Sequence, residues 1–242
     1  MTPATLAVIP ARYAASRFPG KPLAMLWGKP LVQHVWERAR AVRGIDLLVI
    51  ATDDERIAAA ARGFGAEVEI TSPACASGTD RAAEVARRHP EAGIVLNLQG
   101  DEPELDPEAV SALVAGMRAE PGVRMATLAH READPETLRS ADVVKVGVDA
   151  QGFALYFSRG PGSRGRSTSL RHVGVYGFTR DFLLEFTSWP LGAREQAERL
   201  EQLRALERGV RIRVHEAKRA GAGVDTPEQL AALERRGPRI EA

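Results

Sequence analysis

The sequence predicts an α/β protein: a mixed, mostly parallel central sheet flanked by helices, with a small second lobe. Three observations carry that reading. The strand candidates are short, continuous apolar runs of the kind buried on both faces of a parallel sheet. Segments of helical periodicity separate them, and glycine, proline and an Asp-Pro step punctuate the joins. With 242 residues, 44% of them hydrophobic, the chain can fill one packed core, so a single domain is expected.

The elements follow in order. TLAVI (5–9) is the first strand, and Leu31, Val32, Val35, Trp36 and Ala39 predict a helix that ends before Gly44. DLLVIAT (46–52) is a second strand, followed by a helix over DERIAAAARGFG that closes at Gly63 or Gly65. GIVLNLQ (93–99) is a third; Asp106-Pro107 then opens a helix with Val110, Leu113, Val114 and Met117 on one face. VRMATLAH (123–130) completes a βαβαβα order, in which ligands sit outside the carboxyl ends of the strands. The second half is less regular. VVKVGVDAQGFALYF reads as two strands around a turn and RHVGVYGF as another, while AREQAERLEQLRALERG and TPEQLAALERR read as helices on either side of the strand VRIRVHE. Composition shifts only at GPGSRGRSTS (160–169), ten polar, Gly-rich residues expected to be mobile.

Charge and cysteine content remove several function classes. Lys and Arg number 33 against 32 Asp and Glu, and aromatics make up only 5%, which argues against a nucleic-acid partner or an anionic membrane surface. No apolar run approaches the about 18 residues of a membrane span. The lone Cys75 excludes an internal disulfide, and no secretory leader precedes the first strand, so a cytoplasmic protein is expected.

Any anion site must therefore be local, and the loop IPARYAASRFPGKPL (9–23) is the first candidate. It places Arg12, Arg17 and Lys21 at the carboxyl edge of the first strand, on backbone restrained by Pro10, Pro19 and Pro22. It matches neither the dinucleotide fingerprint nor the P-loop, and plain solvated charges are the alternative. NLQGDEPEL is the second candidate. Asp101 stands at the end of a buried strand, where a carboxylate suits a divalent metal shared with phosphates; Asp106 already supplies the cap of the next helix. Asp225 in GVDTPEQL could be a second metal ligand or an ordinary helix cap.

Taken together, IPARYAASRFPGKPL, SGTDR (77–81), NLQGDEP (97–103), ALYFSR (154–159), RHVGVYGF (171–178), LEQLRAL (200–206) and GVDTPEQL (223–230) resemble the bacterial 3-deoxy-manno-octulosonate cytidylyltransferases, also called CMP-KDO synthetases. The likeness runs in order from about residue 5 to about residue 235. It implies a nucleotide-diphospho-sugar-transferase-like fold, Mg²⁺ dependence and a homodimer. It also implies transfer of CMP from CTP to the sugar acid KDO, with release of pyrophosphate, for lipopolysaccharide synthesis. On this pattern residues 1–130 form the nucleotide half, and 131–235 form the sugar half with the second lobe.

Carried over residue by residue, the resemblance implies that Arg12, Ser16, Arg17 and Lys21 wrap the triphosphate, with Ser77, Gly78, Arg81 and Gln99 around the cytidine. Asp101 and Asp225 would hold Mg²⁺, and with Lys21 and Arg12 would form the catalytic set. Arg159, His172, Tyr176, Glu201 and Gln202 would meet the sugar acid, although His172 could equally be a structural donor and Glu201 and Gln202 a polar helix face. In-line attack on the α-phosphorus needs no covalent nucleophile, so Cys75 is not expected in catalysis, and no general base is evident. One segment departs from the family pattern: between YFSR and LRHVGVYG, relatives carry a longer, partly apolar stretch. This leaves room for a related sugar acid as acceptor, and for Arg164 or Arg166 to close over its carboxylate. Two further readings remain, a nucleotidyltransferase of the same fold acting on another sugar and a non-catalytic nucleotide-binding protein.

Overall fold

The computed structural model describes residues 3–14, 17–160 and 170–238. In chain order, β1 (Ala4–Ala11) leads through a 3₁₀ turn (Lys21–Leu23) and a small hairpin, β2 (Met25–Leu26) and β3 (Lys29–Pro30), to α1 (Leu31–Arg40). Then come β4 (Leu47–Thr52), α2 (Glu55–Gly63), β5 (Glu67–Ile70), α3 (Gly78–Arg88), β6 (Ala92–Leu98), α4 (Pro107–Ala119) and β7 (Met125–His130). The second half adds α5 (Pro135–Arg139), β8 (Lys145–Val148), β9 (Ala154–Ser158), β10 (Leu170–Thr179), α6 (Arg180–Ser188), α7 (Ala193–Glu198), α8 (Gln202–Glu207), β11 (Ile212–Ala217) and α9 (Pro227–Arg236).

The main sheet has the order β11-β7-β10-β6-β1-β4-β5, with β8 and β9 forming an antiparallel ribbon off β10. β1, β4, β5 and β6 are parallel neighbours, as are β7 and β11; β10 alone runs against β6 and β7. This is the mixed, mostly parallel sheet expected from the sequence. The reversal has a functional consequence. β10 begins at the edge where β1 and β6 end, with Tyr176 level with Asn97 and Val175 level with Leu98.

Both faces of the sheet are covered, which is why its strands read as continuous apolar runs. Along β1, Ala7, Ile9 and Ala11 pack on one side with Val35 and Trp36 of α1 and Leu113 of α4. Leu6 and Val8 pack on the other with Ala82 and Val85 of α3 and with Phe178, Phe182 and Phe186 around α6. A period of two thus feeds two cores.

The structure differs from the sequence reading in several places, and adds α5, α6 and the β2–β3 hairpin, which the sequence reading does not assign. β5 is an edge strand of half-buried and exposed residues, EVEI, too polar to register as a buried run. The SGTDR stretch opens a helix, α3, whose Ser77 and Asp80 form a reciprocal capping box. The expected single helix over 193–209 is broken: Arg199 adopts a left-handed conformation, φ 54°, and separates α7 from α8.

Candidate active site

The carboxyl ends of β1 and β6 and the start of β10 frame a cleft of about 580 Å³. Arg12, Arg17, Ser77, Gly78, Gln99 and Asp101 line one end; Arg159, His172, Tyr176, Glu201 and Gln202 line the other, and Asp225 also faces in. Lys21 lines a smaller adjoining cavity with Arg12, Gly78, Gln99 and Asp101. Ser16 lies outside the described residues, as do residues 161–169 with Arg164 and Arg166.

Two glycines let the cation loop reach this edge. Gly20 has φ 74° and donates its N–H to the Tyr13 carbonyl at 2.7 Å, a turn that delivers Lys21 to the strand ends. At Gly100 a Cβ would stand 2.8 Å from the Pro10 carbonyl oxygen, so only glycine lets the end of β6 pass that close to β1. The Lys21 ammonium then donates to Asp101 Oδ2 at 2.7 Å and to Asp225 Oδ1 at 3.2 Å, while Arg17 pairs with Asp225 Oδ2 at 2.9 Å. Arg12 is exposed and donates to the Ala76 carbonyl at 3.3 Å.

Asp225 is not the helix cap. Thr226 and Gln229 form the capping box of α9, and the Asp225 backbone N–H donates to Gln229 Oε1 at 2.7 Å. Its carboxylate is thereby released toward Asp101, and the Val224 N–H bonded to the Asp101 carbonyl at 2.9 Å fixes the two segments together. The pair suits a hard divalent cation: both donors are carboxylates, and the Lys21 ammonium already bridges them as a positive charge. Among the described residues no cluster of three or more metal-ligating side chains exists, so such a cation would draw its other ligands from phosphate and water.

At the other end His172 is held between the Phe157 and Tyr176 rings. Its Nε2 lies 2.8 Å from Thr127 Oγ1, whose own proton goes to the Val175 carbonyl at 2.7 Å. On this hydrogen-bond pattern the proton is assigned to Nε2. Burial pushes the imidazole pKa down to about 3, so the ring is neutral at physiological pH. Tyr176 donates its hydroxyl to Gln202 Oε1 at 3.0 Å, leaving the buried Gln202 Nε2 without a partner among the described residues. Arg159 is steadied by the Glu198 carbonyl at 3.3 Å. Burial raises the pKa of Glu201, which accepts from Thr79.

Arg81 does not reach the cleft. Its guanidinium is fully buried beneath α3, bonded to Thr71 Oγ1 and 3.3 Å from Asp53. Ser77 lines the cleft, but its hydroxyl is engaged by Asp80 at 2.8 Å. Residues outside the expected set also enter the cleft, among them Glu102, Arg171 and Thr79. Glu102 is pushed up to about 8 by burial and by the neighbouring Asp101 charge, with Arg171 opposing, and so keeps its proton at neutral pH. Its place in the GDEP run was the signal.

Cations and paired carboxylates gathered at the carboxyl ends of parallel strands are the arrangement by which an α/β sheet can hold a phosphate-bearing ligand. A family model for cytidylyltransferases matches residues 6–212. A 3-deoxy-manno-octulosonate cytidylyltransferase of Anaeromyxobacter sp. (strain Fw109-5) is 53% identical over 241 residues, covering 96% of this chain and 97% of the relative. The protein of that name from Geobacter sulfurreducens is 49% identical over 239 residues, covering 93% and 95%. A CMP:2-keto-3-deoxy-manno-octonic acid synthetase solved in complex with CTP superposes with a TM-score of 0.91 at 43% identity, covering 96% of this chain and 98% of that one. A 4-diphosphocytidyl-2C-methyl-D-erythritol synthase from Anaerococcus prevotii, at 11% identity and a TM-score of 0.67, shares the fold. The chain belongs to the 3-deoxy-manno-octulosonate cytidylyltransferase family.

Proposed function

We propose that the protein transfers CMP from CTP to the anomeric 2-hydroxyl of 3-deoxy-D-manno-octulosonate, giving CMP-KDO and pyrophosphate and activating the sugar for lipopolysaccharide synthesis. The observation that carries this reading is one continuous cleft lined by Asp101 and Asp225, both paired with Lys21 of the adjoining cavity, and by the polar side chains His172, Tyr176, Glu201 and Gln202 of β10 and the α7–α8 junction.

In this reading Arg12, Ser16, Arg17 and Lys21 hold the triphosphate, and Ser77, Gly78 and Gln99 form the cytidine end; Arg81 supports the base of that end from below. Lys21 leaves the two carboxylates to meet the phosphates, where its charge offsets that developing on pyrophosphate. Asp101 and Asp225 would hold Mg²⁺, which when bound supplies positive charge to the α-phosphoryl group and lowers the pKa of the attacking hydroxyl. Arg159, Glu201, Gln202 and Tyr176 orient the sugar acid for in-line attack; the unpartnered Gln202 Nε2 offers it a donor. His172 fixes the wall rather than taking a proton, because a base whose conjugate acid has a pKa of about 3 is too weak to accept one near neutrality.

Incubating the protein with each nucleoside triphosphate, Mg²⁺ and KDO should release pyrophosphate with CTP alone. Equal turnover with ATP or GTP would defeat the reading, as would CTP binding without turnover. Residues 1–130 are read as the nucleotide half and 131–235 as the sugar half of one domain. Among the described residues no helix is long and apolar enough to cross a membrane; a cytoplasmic location is part of the proposal. A homodimer completes the proposal. Sedimentation at micromolar concentration should give twice the chain mass of 26.2 kDa, and a clean monomer would rule the dimer out.

A further inference from the structure

We propose that Thr79 is a positioning residue that aims the Glu201 carboxylate at the sugar acid. The inference rests on the function proposed above, in which Glu201 meets the sugar.

Thr79 is the second residue of α3 and is 1% exposed. The helix has no need of its hydroxyl, because Ser77 and Asp80 already satisfy the first turn reciprocally. The hydroxyl instead joins two distant segments. It accepts from Asn97 Nδ2 at 2.9 Å and lies 2.5 Å from Glu201 Oε1. A hydroxyl has one proton, and since Asn97 supplies the other hydrogen bond, that proton goes to Glu201. Asn97 is itself fully buried at the centre of the sheet, on β6 between β1 and β10. The chain of bonds therefore runs from the rigid sheet, through the helix that carries Ser77 and Gly78, to a carboxylate on the opposite wall.

Glu201 needs such a tether. It sits at the junction of two six-residue helices, two residues after the left-handed Arg199, where the local backbone gives little support. The nearby cation does not orient it: Arg204 is clamped by Glu195 through bonds of 2.7 and 2.5 Å. Thr79 is thus the side chain that sets which Glu201 oxygen is held.

Two variants test this. Thr79→Val keeps the shape and removes the hydroxyl; Thr79→Ser keeps the hydroxyl. Thr79→Val should raise the KM for KDO about tenfold while the calorimetric Kd for CTP stays within about twofold, and Thr79→Ser should return KM to near the wild-type value. In a Glu201→Gln background, Thr79→Val should add less than about twofold, because the residue acts through Glu201. Equal losses toward CTP and KDO, or no rescue by serine, would overturn the proposal. Crystal structures read the positioning without turnover: the Glu201 carboxylate should be displaced in Thr79→Val and unmoved in Thr79→Ser. If wild-type protein fails to turn over KDO, the functional reading falls, and these structures still decide whether Thr79 positions Glu201; an unmoved carboxylate in Thr79→Val refutes it.

Discussion

Replacing Asp101 by asparagine should lower CTP-dependent pyrophosphate release by about 10³-fold, and Asp225→Asn should do nearly the same. The two carboxylates are the hard anionic donors brought together at the strand ends, 2.7 and 3.2 Å from one ammonium. An amide keeps the shape and one carbonyl oxygen but loses the charge that a divalent cation requires. Losing several kcal/mol of stabilisation for the developing phosphoryl charge corresponds, at about 1.4 kcal/mol per decade, to that factor. Folding should hardly change. The Asp101 pair with Lys21 is partly solvated, and such a pair contributes on the order of 1 kcal/mol or less. Turnover measured across a Mg²⁺ titration, beside a thermal melt, checks both halves. Wild-type turnover and metal dependence in Asp225→Asn would reduce Asp225 to a counter-ion for Lys21 and Arg17.

What the sequence made legible follows from how each signal is encoded. β1, β4, β6 and the cation loop were readable because a strand buried on both faces must be continuously apolar and a loop at its end must be punctuated by proline and glycine. Asp101 was readable for a related reason, since Asp106 visibly took the capping role. The start of α3 is in principle readable from Ser77 and Asp80, a capping-box spacing, but in SGTDR the resemblance to a ligand motif masks it. The break between α7 and α8 was not, because Arg199 carries no local mark of a left-handed conformation. Arg81 shows the limit of motif transfer: an arginine beside ligand-facing residues turns inward to Thr71 and Asp53, a choice made by side chains distant in sequence. Arg171 belongs to the same class, since its place in the cleft depends on β10 running against β6.

Lys145 is the least expected residue from the sequence, a lysine in VVKVGV that the structure buries completely, and Lys145→Met should be severely destabilising. Its ammonium has three protons, and all three are used: the carbonyls of Ser140, Val143 and Arg159 accept them at 2.9, 2.8 and 2.7 Å. None of these acceptors is a carboxylate. Burial and the nearby Arg159 charge accordingly push the Lys145 pKa down, with Glu198 opposing. The arrangement persists because irregular backbone at 140–143 and at Arg159 turns carbonyls inward, where a missing donor costs about 1 to 3 kcal/mol each. Methionine fills the stem's volume and supplies no donor. A loss of about 3 to 5 kcal/mol follows, a fall in Tm on the order of 10 °C for a chain of this size. Arginine should not rescue, since a planar fork cannot converge on three carbonyls arranged for a tetrahedral ammonium. Two of these carbonyls, those of Val143 and Arg159, belong to residues that line the cleft. Below its melting temperature, Lys145→Met should therefore raise the KM for the sugar acid more than that for CTP. A Tm within about 2 °C of wild type would show that water or neighbouring N–H groups satisfy the three carbonyls, and that Lys145 is not what holds this wall together.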